Sequence, residues 1–259
     1  MTDGLRLDID GAVATLTLDR AAALNALTVP VKVALREALE SLASDRDVRA
    51  VILTGAGRAF CAGQDLAERE QPDAPPLDVE VRERYNPIIR AIRSMGQPVI
   101  AAVNGVAAGA GASLALACDL RIASEDARFV LAFGRIGLVP DSGATWFLPR
   151  IIGLARAAEL ALVGDQVDAA EALRIGLVSK VVPGDQLMLD ARSLAVRLAA
   201  GAPLAMALTK EALQRSPTID LDEALEGEAK LQGIAGLSAD HAEGLSAFRE
   251  KRPPRFTGS

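Results

Sequence analysis

Two apolar runs in this chain each lead straight into a glycine-rich turn and then a helix, and this pair of junctions restricts the fold more than any other feature. Ala50-Val51-Ile52-Leu53-Thr54 is followed by Gly55-Ala56-Gly57 and then by Phe60-Cys61-Ala62-Gly63-Gln64-Asp65-Leu66. Pro98-Val99-Ile100-Ala101-Ala102-Val103 is followed by Asn104-Gly105-Val106-Ala107-Ala108-Gly109-Ala110-Gly111. Glycine lets one backbone approach another closely, and a helix start leaves peptide N–H groups without intrahelical partners. Two such turns facing each other would present a pair of main-chain donors to one oxygen, which stabilises a developing oxyanion. Taken alone, each turn also reads as no more than a tight strand-to-helix connection.

A chain of 259 residues suits one large α/β domain, or one domain with an appendage. Half of the residues are apolar and only 3% are aromatic, so the core is built from Ala, Leu, Val and Ile. The net charge of −6 and the lack of a basic cluster argue against a nucleic-acid partner. Cys61 and Cys118 form no CxxC pair and His241 is the sole histidine, so neither a zinc site nor a Ser-His-Asp triad is expected, and no metal. Two isolated cysteines suit a reducing, cytoplasmic setting, and the start Met1-Thr2-Asp3-Gly4-Leu5-Arg6 lacks a signal-peptide pattern. The longest uncharged stretch, Pro98 to Cys118, opens with proline and contains Asn104, Gly105, Gly109 and Gly111. It reads as buried core and not as a membrane span.

Alternation around Asp10-Gly11 predicts a hairpin of strands at 5–9 and 13–18. Val33, Leu35, Leu39 and Leu42 recur on one side of a helix from Val29 to Leu42. The charged, proline-containing stretch 67–78 predicts a mobile loop, followed by a helix from Val79 to Ser94. Further strands are expected at 120–123, 129–131 and 177–182, with helices from about Gly109 to Cys118 and from near Asp141. Strand and helix alternate to about residue 190, which predicts parallel pairing; only helices remain after it, at about 186–200, 203–215, 220–235 and 239–250. The division expected is a core over 1–195 and a C-terminal helical oligomerisation region over 196–259. Leu221, Leu225 and Leu231 form an apolar stripe there that needs a surface on this chain or on a neighbour.

A dinucleotide fold uses the same strand–glycine–helix device, but neither glycine run completes GxGxxG, and no Walker A pattern is present. Instead, Leu24-Asn25-Ala26-Leu27, Phe60 to Leu66, Asn104 to Gly111, Ala117-Cys118-Asp119, Gly137-Leu138-Val139-Pro140-Asp141-Ser142-Gly143, Ala169 to Gly176 and Ala247-Phe248-Arg249-Glu250-Lys251-Arg252 resemble, in this order, the crotonase superfamily of enoyl-CoA hydratases and isomerases. The resemblance implies a crotonase-like α/β spiral of ββα units and a trimer or dimer of trimers. It also implies an acyl-CoA thioester substrate, with coenzyme A as part of that substrate and no permanently bound cofactor. By position, Gln64 and Ala110 would give the N–H groups that hold the thioester oxygen. Leu24, Ala26, Ala62 and Leu66 would lie along the coenzyme A, and Phe248 and Lys251 would reach it from a neighbouring subunit. For Lys251, a solvated tail charge is the alternative.

The departures from the family pattern bear on the reaction. Hydratases of the family use two glutamates; by ungapped count from Asn104 those positions are Ser113 and Phe133, and neither does acid–base work at neutral pH. Asp141 remains as a carboxylate at a suitable place. An aspartate ahead of a helix is also a good N-cap, which is its purely structural explanation. In the family context an apolar surround of Phe133, Leu138, Val139 and Trp146 would raise its pKa and suit it as a base. The run Phe133 to Gly143 is similar to that of epoxyphenylacetyl-CoA isomerase-like members, active in phenylacetate breakdown. The expectation is an isomerase that shifts a double bond, or rearranges an aryl-epoxide acyl-CoA, through a thioester enolate. An enoyl-CoA hydratase with atypical acid–base groups, or a non-catalytic CoA-ester-binding homologue, are the alternatives. Asp65 and Asp119 are expected to shape loops, Cys61 to be buried, His241 to lie at the surface, and Tyr85, Asn86 and Trp146 to line the acyl end or simply to pack.

Overall fold

The computed structural model describes residues 4–259, so Met1 to Asp3, on which the expectation of no leader partly rests, lie outside the described residues. Strands β1 (Leu5–Asp10) and β2 (Val13–Leu18) form the expected antiparallel hairpin, with Gly11 at φ +59° in its turn. Eight more follow: β3 (Ala50–Gly55), β4 (Ala59–Cys61), β5 (Val99–Val103), β6 (Val106–Ala108), β7 (Leu120–Ser124), β8 (Arg128–Val130), β9 (Gln166–Asp168) and β10 (Lys180–Val182). One sheet has the order β1-β2-β3-β5-β7-β10, parallel from β2 onwards; the second has the order β4-β6-β8-β9, with only β8 and β9 antiparallel. Strands β3, β5 and β7 of the first sheet each drop through a tight turn into β4, β6 and β8 of the second, and the chain spirals. Glycine is required at the β3–β4 and β5–β6 turns. A Cβ at Gly55 would collide with the Ala59 carbonyl, and one at Gly105 with that of Arg58.

The first sheet is covered on both faces, so its central strands read as continuous apolar runs. Val51, Leu53, Val99, Ala101 and Val103 face the cluster that holds Leu35, Leu39 and Leu42 of the helix Val29–Ser44 and Ile88 and Ile92 of the helix Asn86–Ser94. Their strand neighbours Ala50, Ile52, Ile100 and Ala102 pack on Leu187, Ala191 and Ala195 of the helix Leu187–Ala199. That helix crosses residue 195. The stretch Pro98 to Cys118 is core, as expected: β5 and the helix Ala110–Ala117 are buried throughout. No single helix among the described residues is long and apolar enough to cross a membrane.

Several expectations need correction. Val33 is 38% exposed, and Lys32, only 1% exposed, takes its place on the buried stripe because two glutamates neutralise it. The 67–78 stretch carries helical turns at Leu66–Arg69 and Leu77–Glu80; the latter continues through a π-helical turn, Val81–Tyr85, into Asn86–Ser94. Strand β10 starts only at Lys180, because the Leu177 and Val178 N–H groups close the preceding helix on the Ala172 carbonyl (2.8 and 3.3 Å). Helix Ala144–Ile152 begins three residues after Asp141, with Gly143 as its cap.

Beyond Leu187–Ala199 come the helices Pro203–Arg215, Leu221–Gly236 and Ala239–Glu250. Lys210 pins the first to the core: its ammonium donates to the carbonyls of Ile92 (2.9 Å) and Gln97 (3.1 Å) and pairs with Asp119 (2.8 Å). Leu221 and Leu225 are exposed.

Candidate active site

The two glycine turns meet. β4 and β6 are neighbouring parallel strands, and the chain leaves them at Ala62-Gly63-Gln64 and at Gly109-Ala110. Gly63 has φ +91°, and a Cβ there would lie 2.8 Å from the Ala108 oxygen and 3.3 Å from the Ala110 nitrogen. Gly109, at φ +51°, caps the helix Ala110–Ala117, while a Cβ on Gly111 would strike the Cys61 carbonyl. Among the described residues, neither the Gln64 nor the Ala110 N–H donates a hydrogen bond within the chain. Two unspent donors thus stand side by side, one of them at the positive end of a helix dipole.

The segment Leu24–Leu27 runs against the first turn. Ala62 N–H donates to the Leu24 carbonyl (3.0 Å), Leu27 N–H to Gly63 (2.7 Å) and Asp65 N–H to Leu27 (3.2 Å). Buried Asn25, at φ +57°, organises this segment: its amide donates to the carbonyls of Ala56 (2.9 Å) and Ala59 (2.7 Å) and accepts from Arg20 N–H (2.9 Å). Leu24, Ala26 and Ala62 are brought together in this way, and exposed Leu66 opens the next helical turn. Asp65 caps that turn and pairs with Arg20 (2.8 Å), which holds its carboxyl below the usual range. Asp119 ties Val99 N–H (2.8 Å) to Lys210. Both aspartates shape loops, as expected. Phe248 and Lys251 lie exposed at the end of the helix Ala239–Glu250, and the Lys251 side chain makes no ion pair among the described residues.

Gln64 is held from behind by a buried polar cluster that the sequence reading missed. Its Oε1 accepts from Tyr85 Oη (2.6 Å) and Lys32 Nζ (3.2 Å); Lys32 pairs with buried Glu80, which also binds Arg84 (2.7 Å). Burial pulls the Lys32 pKa down against these partners. A lysine at heptad spacing with Leu35, Leu39 and Leu42 was the available signal. A cavity of about 250 Å³ opens beside Gln64, between Glu68, Pro75, Glu80 and Arg84. The Tyr85 phenol is pushed up by burial foremost, with Cys61 and Asp141 close enough to add to the shift.

Asp141 is not a helix cap. Its carboxylate Oδ1 accepts from Ser142 Oγ (2.9 Å), and its main-chain oxygen accepts from Ser113 Oγ (3.0 Å) and Ala144 N–H (3.0 Å). Burial raises its pKa, with the Ser142 hydrogen bond opposing. The apolar surround differs from expectation. Phe133 is buried, with its ring 3.8 Å from where a Gly109 Cβ would stand, and Trp146 is half-buried. Leu138 is exposed and Val139 is 78% exposed, because the Gly137 turn (φ +72°) carries both outward. Among the described residues, no three His, Cys, Asp or Glu side chains cluster as a metal site requires. Cys61 is buried as expected, its thiol pushed up to about 12, and His241 is exposed.

A two-sheet ββα spiral with facing glycine turns and a helical C-terminal region is the crotonase architecture. The chain belongs to the enoyl-CoA hydratase/isomerase family, whose model matches residues 8–259. It is 46% identical over 253 residues to the 1,2-epoxyphenylacetyl-CoA isomerase of Escherichia coli (strain K12), covering 96% of this chain and 97% of that one. It is also 46% identical over 254 residues to a protein of Rhodobacter capsulatus named "Probable enoyl-CoA hydratase", covering 98% of each. The crystal structure of enoyl-CoA hydratase from Bacillus anthracis superposes with a TM-score of 0.96 at 37% identity, covering 99% of this chain and 100% of that one.

Proposed function

We propose that this protein is an acyl-CoA isomerase in which Asp141 is the single acid–base group. The Gln64 and Ala110 N–H groups hold the thioester oxygen, and each contributes roughly 3 kcal/mol as charge develops on it. That charge makes the α-proton acidic. Asp141 removes it, the double bond shifts along the resulting dienolate, and the same carboxyl returns the proton at the γ-carbon. Atoms balance with no water, metal or redox partner. An aryl-epoxide thioester, the substrate class in the name of the Escherichia coli relative, would use the same enolate grip during ring expansion. Coenzyme A lies along Leu24, Ala26, Ala62 and Leu66. Phe248 and Lys251 complete its site from the next subunit of a trimer or dimer of trimers.

The observation that carries this reading is the pair of positions where a hydratase has glutamates. Ser113 is fully buried, its hydroxyl engaged with main-chain oxygens, and Phe133 is a buried ring. Asp141 is then the carboxylate available beside the Ala110 turn. Isomerisation of a 3-enoyl-CoA by the wild type, and its loss by at least about 100-fold in Asp141→Asn, is the expected result. A wild-type rate in that variant would remove the assignment. Hydration is the second reading, favoured by the hydratase name of the Rhodobacter capsulatus relative. Loss of crotonyl-CoA absorbance with 3-hydroxyacyl-CoA as product would establish it.

A further inference from the structure

Two hydroxyls touch Asp141, and the reaction scheme leaves both without a task. Ser113 lies in the helix Ala110–Ala117 and is fully buried; its Oγ reaches the carbonyls of Gly109 (3.3 Å) and Asp141 (3.0 Å). One hydroxyl therefore ties the residue just ahead of the Ala110 donor to the residue that carries the carboxyl. Ser142 is also buried, and its Oγ donates to Asp141 Oδ1 (2.9 Å). Ser142 sits at φ +52° and Gly143 follows at φ +81°. A left-handed conformation is uncommon for a residue other than glycine, and it persists where the surroundings impose it, often at functional sites.

We infer that Ser113 and Ser142 form a two-point clamp on Asp141, Ser113 fixing its main chain relative to the Ala110 N–H and Ser142 aiming its carboxylate. Both are positioning residues. The clamp rests on the reading of Asp141 as the base. A hydroxyl that donates to a carboxylate favours the ionised form, which is the form that accepts a proton. Among the described residues, no other side chain donates to this carboxylate. Helix Ala110–Ala117 carries no charge, Arg135 of the turn Ala132–Ile136 pairs outward with Asp165 (3.1 Å), and Arg150 stacks on the Trp146 ring (4.2 Å). Across the site, the Tyr85 phenol is bonded to Gln64, and the buried Cys61 thiol is neutral.

The test compares Ser142→Ala, Ser142→Gly, Ser113→Ala and Asp141→Asn on a 3-enoyl-CoA across pH. Both Ser142 variants should move the acid limb of kcat/KM to higher pH, lowering the value on that limb about tenfold with little change in KM. Glycine relieves the backbone conformation while removing the hydroxyl, so a purely structural role would leave the limb of Ser142→Gly in place. Ser113→Ala should lower kcat about tenfold at every pH, and the effect should vanish in an Asp141→Asn background. An unmoved limb in Ser142→Gly together with wild-type kcat in Ser113→Ala overturns the clamp while the base assignment stands. A wild-type rate in Asp141→Asn removes the base, and the clamp with it.

Discussion

Gly63 lies so close to Ala110 that a Cβ on it would stand 3.3 Å from the Ala110 nitrogen and 2.8 Å from the carbonyl oxygen of Ala108. The neighbours are backbone, and φ is +91°, so an alanine has no cheap way to fit. Gly63→Ala is expected to lower stability by about 1–3 kcal/mol and to lower kcat about 100-fold by spreading the two donors. Urea denaturation and steady-state kinetics measure the two effects separately; wild-type turnover would show that the spacing of the turns is irrelevant.

Burial raises the Asp141 pKa above its unfolded value. Between the two values the unfolded chain binds fewer protons, so Asp141 costs the fold stability as pH rises through that window, and the cost persists above it. Asp141→Asn should therefore melt at a higher temperature than wild type near neutral pH. The difference should shrink as pH falls below the ordinary carboxylate range. Melting curves for both proteins across that range check the sign; a variant less stable at neutral pH contradicts it.

Lys32 and Glu80 are buried against each other behind Gln64. Removing only the lysine leaves Glu80 with Arg84, so Lys32→Met should cost about 3 kcal/mol, near the lower end for a broken buried pair. Lys32→Met with Glu80→Leu should recover much of that loss. A double-mutant cycle in urea gives the coupling, and additive losses would show the pair to be independent.

Asn25→Ala removes the donors that satisfy the Ala56 and Ala59 carbonyls, and it places a less tolerant residue at φ +57°. A stability loss of about 2–4 kcal/mol is expected, with KM for the CoA ester rising more than kcat falls. Isothermal titration with free coenzyme A tests the binding part directly. Unchanged affinity would mean that the Leu24–Leu27 segment does not carry the ligand.

What was legible in the sequence had a period or a glycine behind it. The Asp10-Gly11 hairpin, the apolar runs of β3 and β5, and both glycine turns were readable in this way. Strands β4, β6 and β9 have three residues each, too few for alternation to register, so of the second sheet only β8 is legible, at 129–131. On the residues alone Asp141 reads first as a cap, because aspartate commonly precedes a helix, and only the family resemblance makes it a base; the left-handed pair Ser142-Gly143 is what shifts the cap to Gly143. Val33 was assigned to the buried stripe on hydrophobicity alone, whereas Lys32 goes inside because Glu80, distant in sequence, is there to meet it.

The adjacency of β4 and β6 has a wider consequence. Because the two amides follow neighbouring strands of one sheet, their separation is governed by the roughly 4.8 Å spacing between those strands. Under the proposed function, residues 70–78, which carry none of the groups bonded to Gln64, can then be retailored for a different acyl tail without slackening the hold on the thioester. Selectivity and grip then reside in separate parts of the chain.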